Sequence, residues 1–163
     1  MTEHDYFGVV DETGAEPWTE VIEANDQRLS VSVRAEGAVS EEALDRAAAM
    51  VISLEDIDRH ARELLVGELA AQGSSTAQFV AQAIDEIDED ELLGAIDRDS
   101  GDRSIDVLRC LVLDSVVIRA DLADDDDAFC TLRYHFAPDS FALVLIAVLD
   151  ARAELVDIRS ERW

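Results

Sequence analysis

The histidines, whose side chains could support acid–base chemistry near neutral pH, are few in this sequence. Its three histidines are His4, His60 and His135. A histidine beside carboxylates titrates near neutral pH and can act as an acid or a base, which applies to His60 in the segment Asp58-Arg-His-Ala-Arg62. His135 shares one face of a predicted strand with Arg133, which could form a polar binding surface. We therefore name His60, Arg133 and His135 as candidate polar-site residues. The alternative is a helix-surface histidine at position 60 and a solvated sheet face at the other two.

No metal, cofactor or disulfide is predicted. Cys110 and Cys130 are too few for a disulfide scaffold and lack metal-ligand spacing, so we expect buried, reduced thiols. The segment 97–102 resembles a calcium loop, but Gly101 stands at the fifth position, where a ligand is needed, and an ordinary turn fits better. The acidic run 124–127 is interpreted as a solvated turn, because four successive carboxylates cannot all converge on one ion.

The sequence does not predict catalysis. It has no glycine-rich phosphate loop, Ser-His-Asp arrangement, Cys-x-x-Cys motif or framed pair of catalytic carboxylates. All 13 basic residues are arginine, and the absence of lysine excludes a Schiff-base lysine and a P-loop lysine. An enzyme remains an alternative, because active-site residues need not be close in sequence.

The charge balance is strongly acidic. Asp and Glu number 38 against 13 arginines, for a net charge of −25. Direct binding to nucleic acid is not expected, because phosphate contacts require a basic surface. The acidity either attracts a basic partner or reflects a compositional habit that serves solubility or salt tolerance. Apolar residues make up 48% of the chain, which argues against disorder. With no apolar run of membrane-spanning length and no signal peptide, we expect a soluble, cytoplasmic protein without membrane contact.

One stretch organises the rest of the chain. Residues 141–149, Phe-Ala-Leu-Val-Leu-Ile-Ala-Val-Leu, are all apolar. Their β-branched content and the upstream segment Pro138-Asp139-Ser140 favour a strand over a helix. Because neither face of this strand is polar, both faces need cover, and we place it in the middle of a sheet.

The elements around it follow a simple order. Strands are predicted at 6–10, 18–23 and 28–34, with a turn at 24–26 between the last two. Four helical segments follow within residues 41–96. They include a helix capped by Ser40 and a second that begins with a capping box at Ser53. A further helix is predicted from Ser104 through Val112. Strands are then predicted at 116–122, 129–136, 141–149 and 154–159.

This order predicts the fold class. We expect one α+β domain over residues 1–163, a two-layer sandwich with a mainly antiparallel sheet and the helices on one face. The other face of the central strand would then be exposed. Exposed apolar patches usually mark interfaces, so we expect a homodimer or a partner protein there. A third layer formed by the N-terminal hairpins is the rival explanation. The interface candidates are Ala142, Val144, Ile146 and Val148.

Three segments carry a resemblance to a known family. They are Phe7-Gly8 with Trp18 and the alternating 29–33, the helical segment 54–62, and 132–136 followed by the apolar strand and a hairpin ending at Ser160-Glu161. The pattern resembles an uncharacterised bacterial domain-of-unknown-function family of small acidic proteins. That resemblance implies a two-layer α/β sandwich and no established catalytic residues. Ala153 departs from the pattern, since glycine is expected in that turn. Similar-looking acidic proteins occur among bacterial toxin-immunity proteins.

Three functions follow as hypotheses. The first is a protein-interaction module, with toxin neutralisation as its most specific form. The second is a small-molecule-binding protein or enzyme with a site between sheet and helices, which requires a deep pocket with converging polar groups. The third is a salt-adapted structural protein whose charge has no partner.

Overall fold

The structure is a computed structural model that describes residues 1–24, 27–97, 99–124, 127–136 and 141–162. Within these ranges the chain forms five helices and eight strands in two sheets, an α+β fold with a mostly antiparallel sheet. The predicted turns at 24–26 and 124–127 and the segment 138–140 lie partly or wholly outside the described residues. No helix in the described ranges is long and apolar enough to span a membrane.

The N-terminal third holds four strands. β1 (Thr2–His4) and β2 (Gly8–Val10) form a small antiparallel sheet of their own. β3 (Trp18–Ala24) and β4 (Gln27–Arg34) pair antiparallel in the main sheet. The sequence predicted β3 and β4 correctly. The prediction missed β1. It began β2 two residues too early and placed β2 in the main sheet. A strand of three residues shows too little alternation to be detected.

The helices come next. They are α1 (Glu41–Ile52), α2 (Leu54–Glu68), α3 (Ser75–Glu86), α4 (Glu89–Ala95) and α5 (Arg103–Arg109). Ser40 caps α1 as predicted, with its hydroxyl accepting from the Ala43 amide at 3.1 Å. The capping box at Ser53 was a wrong prediction. The Ser53 hydroxyl instead donates to the Ala49 carbonyl, because Ser53 is also the C-cap of α1 and lacks the extended backbone that an N-cap needs.

The remaining strands complete a six-stranded sheet. They are β5 (Leu111–Arg119), β6 (Cys130–Phe136), β7 (Leu143–Leu149) and β8 (Leu155–Arg162), in the sheet order β3-β4-β5-β6-β7-β8. Every neighbouring pair is antiparallel except β4 and β5, which are parallel because the helices connect them. The final helix was predicted to run through Val112, but it ends at Arg109. Leu111 and Val112 are instead paired to β6, so cross-strand hydrogen bonding overrides their helical spacing.

The helices cover one face of the main sheet. The main hydrophobic cluster joins inward residues of the strands, such as Val31, Val116 and Leu145, to helix residues such as Leu44 and Phe79. Inward residues are buried, including Tyr134 of β6 and Leu132 two positions before it. All seven residues of β7 are buried, as predicted for a strand in mid-sheet. Alternation along each strand therefore places a second set of side chains on the opposite, helix-free face.

Candidate functional site

The structure separates the candidate polar residues predicted from the sequence. His60 lies on the exposed side of α2, with Nε2 3.0 Å from the Ala153 carbonyl oxygen. Arg133 and His135 lie on the helix-free face of the sheet, on the far side of the main core. The Nδ1 atom of His135 is 3.5 Å from Oδ2 of Asp114, a residue at the irregularity between Leu113 and Ser115 in β5. His60 and His135 therefore belong to different surfaces.

The interface candidates have two different environments. Ala142 is exposed and precedes β7. Val144, Ile146 and Val148 are only 1%, 5% and 2% exposed and form a cluster of their own on the helix-free face. The expectation that this face of the strand would be bare is therefore wrong. In the sheet register Ile146 lies between Arg133 of β6 and Arg159 of β8, and long arginine side chains can cover apolar neighbours with their methylene groups.

A cavity that the sequence did not locate lies between the helices and the first three strands of the main sheet. Its volume is about 670 Å³, within the range of about 300–1,000 Å³ typical of small-molecule sites. One part of its wall is apolar and consists of Ile22, Leu29, Val51, Leu54, Val66 and Leu113. The other part is charged and consists of Glu23, Glu55, Asp58, Arg59, Arg62, Glu63 and Arg109. The cavity thus offers an apolar surface beside charged groups of both signs.

A hydrogen-bonded cluster stands at the wall of this cavity. Arg62 and Asp58 are one helical turn apart on α2, and Nε of Arg62 donates to both carboxylate oxygens of Asp58 at 3.0 and 3.1 Å. The Tyr134 hydroxyl reaches Asp58 from the sheet and donates to its Oδ1 at 2.7 Å. The Arg62 guanidinium carbon lies 5.1 Å from the centre of the Tyr134 ring, within the range of a cation–π contact. Arg62 is therefore held in place by both layers of the fold.

The cluster is built to bind rather than to exchange protons. Burial, and then the negative charge of Asp58, raise the pKa of Tyr134 well above its usual value of 10.0. Tyr134 therefore stays protonated at neutral pH and acts as a hydrogen-bond donor, not as a base. Both oxygens of Asp58 already accept hydrogen bonds from Arg62.

Two arginines of the cavity retain unused donors. The terminal nitrogens of Arg62 make no hydrogen bond within the described part of the chain, since its contacts with Asp58 use Nε. Arg109, near the end of α5, forms no ion pair with the described residues and is exposed. Arg59 also lines the cavity and is paired with Asp56, but its side chain is 69% exposed, against 28% for Arg62. Arg62 is therefore the more enclosed of these two cations, and Arg109 is the one without a salt bridge to a described residue.

The sequence alone indicates part of this cluster but not its three-dimensional arrangement. The spacing of Asp58 and Arg62 is that of a helical ion pair, and Tyr134 alternates with Arg133 and His135 along its strand. Nothing in the sequence placed position 134 against position 58. Among the residues described, no cluster of three or more His, Cys, Asp or Glu side chains is arranged to hold a metal ion.

The chain is an α+β protein with a cavity between its helical layer and its sheet. Comparison with models of protein families, with curated proteins and with solved structures finds no match. Arguments about function therefore depend on the geometry of this chain.

Proposed function

We propose that this protein binds a small amphipathic carboxylate in the cavity between α2 and strands β3 to β5. The observation that carries the proposal is the position of Arg62, which is oriented by Asp58 and Tyr134 beside an apolar wall. A guanidinium can bind a carboxylate with two parallel hydrogen bonds, and the terminal nitrogens of Arg62 are available for this. The apolar part of the ligand would contact residues such as Leu29, Leu54 and Leu113.

The remaining charges of the cavity limit the ligand further. Glu23, Glu55 and Glu63 surround the arginines, and the whole chain carries a net charge of −25. A dianion or a phosphate would be repelled by these carboxylates more strongly than a monoanion with a single carboxylate. The Tyr134–Asp58–Arg62 cluster lacks a free base, so the proposal is for binding without turnover.

Octanoate is a suitable probe because it combines one carboxylate with a flexible apolar chain. We expect calorimetric titration to show saturable binding to the intact protein, and octanamide to bind at least tenfold more weakly. Arg62→Gln should weaken octanoate binding at least tenfold, since a hydrogen bond to a charged group contributes about 1.5–3 kcal/mol. Arg109→Gln should weaken it in the same direction. Arg109 is exposed and forms no salt bridge with a described residue, and its electrostatic contact is with Asp106 one turn earlier in α5, so this variant reports on binding even if Arg62→Gln is unstable.

The matched control is Arg46→Gln. Arg46 lies on α1, pairs with Glu42 and does not line the cavity, so its loss should leave octanoate binding unchanged. Equal binding of octanoate and octanamide would contradict the role of the arginines. Equal losses in the Arg46 and Arg62 variants would do the same. Absence of binding by either compound at millimolar concentration would refute the proposed function.

The protein-interaction role expected from the sequence remains a prediction, as do toxin neutralisation and salt adaptation. The interaction argument depended on an exposed apolar stripe, and Val144, Ile146 and Val148 are buried. What supports the hypothesis of a site between sheet and helices is the cavity at Arg62, whose wall combines apolar side chains with charged groups of both signs. The geometry therefore favours ligand binding as the first hypothesis to test.

A further inference from the structure

The helix-free face of the main sheet, called here the open face, has an unusual charge balance. Its arginines are Arg28, Arg34, Arg119, Arg133 and Arg159, assigned to this face by strand alternation and cross-strand register. Its carboxylates are Asp114, Asp157 and Glu161, together with Asp121 and Glu36, which pair with Arg119 at 2.8 and 3.4 Å. Glu23 lies toward the β3 edge, where it pairs with Arg28 and also borders the cavity. The whole chain, by contrast, has 38 acidic residues and 13 arginines. The open face is therefore a surface where the charge of the molecule is locally compensated.

The open face also has a shallow surface. One row across all six strands reads Val21, Ser30, Ser115, Arg133, Ile146 and Arg159. The next row reads Thr19, Ser32, Val117, Thr131, Val148 and Asp157. In both rows serine, threonine and valine occupy β3, β4 and β5, and the charged side chains lie on β6 and β8. Such a surface can approach another sheet closely, and packed sheets lie about 10 Å apart.

We propose that two copies of this chain form a homodimer by packing open face against open face. Two molecules that each carry −25 repel one another, so they approach most readily where the surface charge is locally compensated. Arg28, Arg119 and Arg159 are already paired with carboxylates of their own copy, so this face can meet its counterpart across a two-fold axis without adding an uncompensated charge. Because its charges are nearly balanced, this face fits a second copy better than it fits a strongly basic partner.

The area of the open face is sufficient for this contact. The five gaps between the six strands are about 4.8 Å each, and seven residues along a strand are about 3.3 Å each, which gives a footprint of about 550 Å². Two such footprints bury about 1,100 Å², just above the value of about 1,000 Å² expected for a specific interface. A contact near this lower limit is typical of weak or transient association, so we expect a dissociation constant in the micromolar range.

The state of the intact protein can be measured by light scattering coupled to size exclusion, from about 1 to 200 μM. We expect the mass to rise from 17.9 kDa toward twice that value as the concentration increases. Arg159→Glu should raise the dissociation constant at least tenfold, because it removes the cation that compensates Asp157 and Glu161 and leaves three carboxylates together at the β8 side of the face. Ser30→Glu, on β4, should weaken the dimer in the same direction.

Arg103→Glu provides the matched control. Arg103 and Arg159 have similarly exposed side chains, 45% and 47%, and each is paired with a carboxylate, but Arg103 lies on α5 in the helical layer. Its reversal should leave the dissociation constant unchanged. A monomer throughout the concentration range would overturn the proposal. A dimer that persists in Ser30→Glu would also overturn it, because β4 is an inner strand and contact through a sheet edge would survive that change.

Discussion

Replacing Tyr134 with phenylalanine isolates the hydrogen bond that joins the sheet to α2. The Tyr134 side chain is fully buried, and its hydroxyl donates to Asp58 Oδ1 at 2.7 Å. Phenylalanine keeps the ring, its packing and its contact with the Arg62 guanidinium, so the change removes one donor and little else. Asp58 keeps its two hydrogen bonds from Arg62.

The expected loss of stability follows from the charge of the acceptor. A hydrogen bond to a charged group contributes about 1.5–3 kcal/mol, against about 1 kcal/mol for a neutral pair. Asp58 is half-buried, so water can replace part of what is lost, and we expect the free energy of unfolding to fall by about 2 kcal/mol. With a urea slope of about 2 kcal/mol per molar, the unfolding midpoint should move down by about 1 M.

The assay is equilibrium unfolding in urea at pH 7, followed by circular dichroism. Tyr6→Phe is the control, because Tyr6 is the only other tyrosine, is 42% exposed and has no side-chain hydrogen bond among the described residues. It should change the free energy of unfolding by less than about 0.5 kcal/mol. If Tyr134→Phe also changes it by less than about 0.5 kcal/mol, the Tyr134–Asp58 bond does not stabilise the fold and the argument for an oriented Arg62 fails.

Two further predictions concern a buried thiol and a strained turn. Burial raises the pKa of Cys130 from 9.0 to about 12, so below pH 9 its contribution is fully present, and above pH 9 the unfolded thiol ionises first. The free energy of unfolding should therefore be about 1.4 kcal/mol lower at pH 10 than at pH 8 because of this thiol. Cys130→Ala should remove that contribution to the pH dependence. An unchanged pH dependence in the variant would contradict a raised pKa of Cys130. Ala153 has φ of 62°, which favours glycine, so Ala153→Gly should raise the urea midpoint by an amount equivalent to about 0.5–1 kcal/mol. Ala151→Gly, in the same turn with negative φ, should lower it, and equal effects of the two changes would refute the strain argument.

The main sheet was predictable where burial leaves a strong pattern. Residues 143–149 are buried on both faces, and a continuous apolar run of that length has few structural solutions. The expectation of glycine at position 153 also matched a real constraint, since Ala153 has the left-handed backbone that glycine prefers. At residues 143–149 the local sequence and the tertiary structure make the same demand, whereas at position 153 the sequence has alanine and the expectation of glycine came from the family resemblance.

Prediction failed where tertiary pairing overrode the local pattern. Leu108, Leu111 and Val112 have helical spacing, yet α5 ends at Arg109 and Leu111 pairs with Phe136 of β6. Because of that error, Asp114 was expected just beyond the end of a helix. It lies instead in β5 beside His135. The cavity could not be predicted for a different reason. It lies between elements that are distant in sequence, and its shape depends on how those elements pack, which a local sequence pattern does not predict.

Strand β6 relates the two proposed surfaces to each other. Its alternation places Tyr134 toward Asp58 and Arg62, and it places Arg133 and His135 on the open face. Communication between the cavity and the dimer contact would therefore require movement of the β6 backbone. That backbone is hydrogen-bonded on one side to β5 and on the other to β7, so it belongs to the most stable part of the sheet. Coupling needs an element with two accessible arrangements, and a central strand held on both edges is a poor candidate. The two surfaces should therefore act independently, so failure of one proposal leaves the other standing.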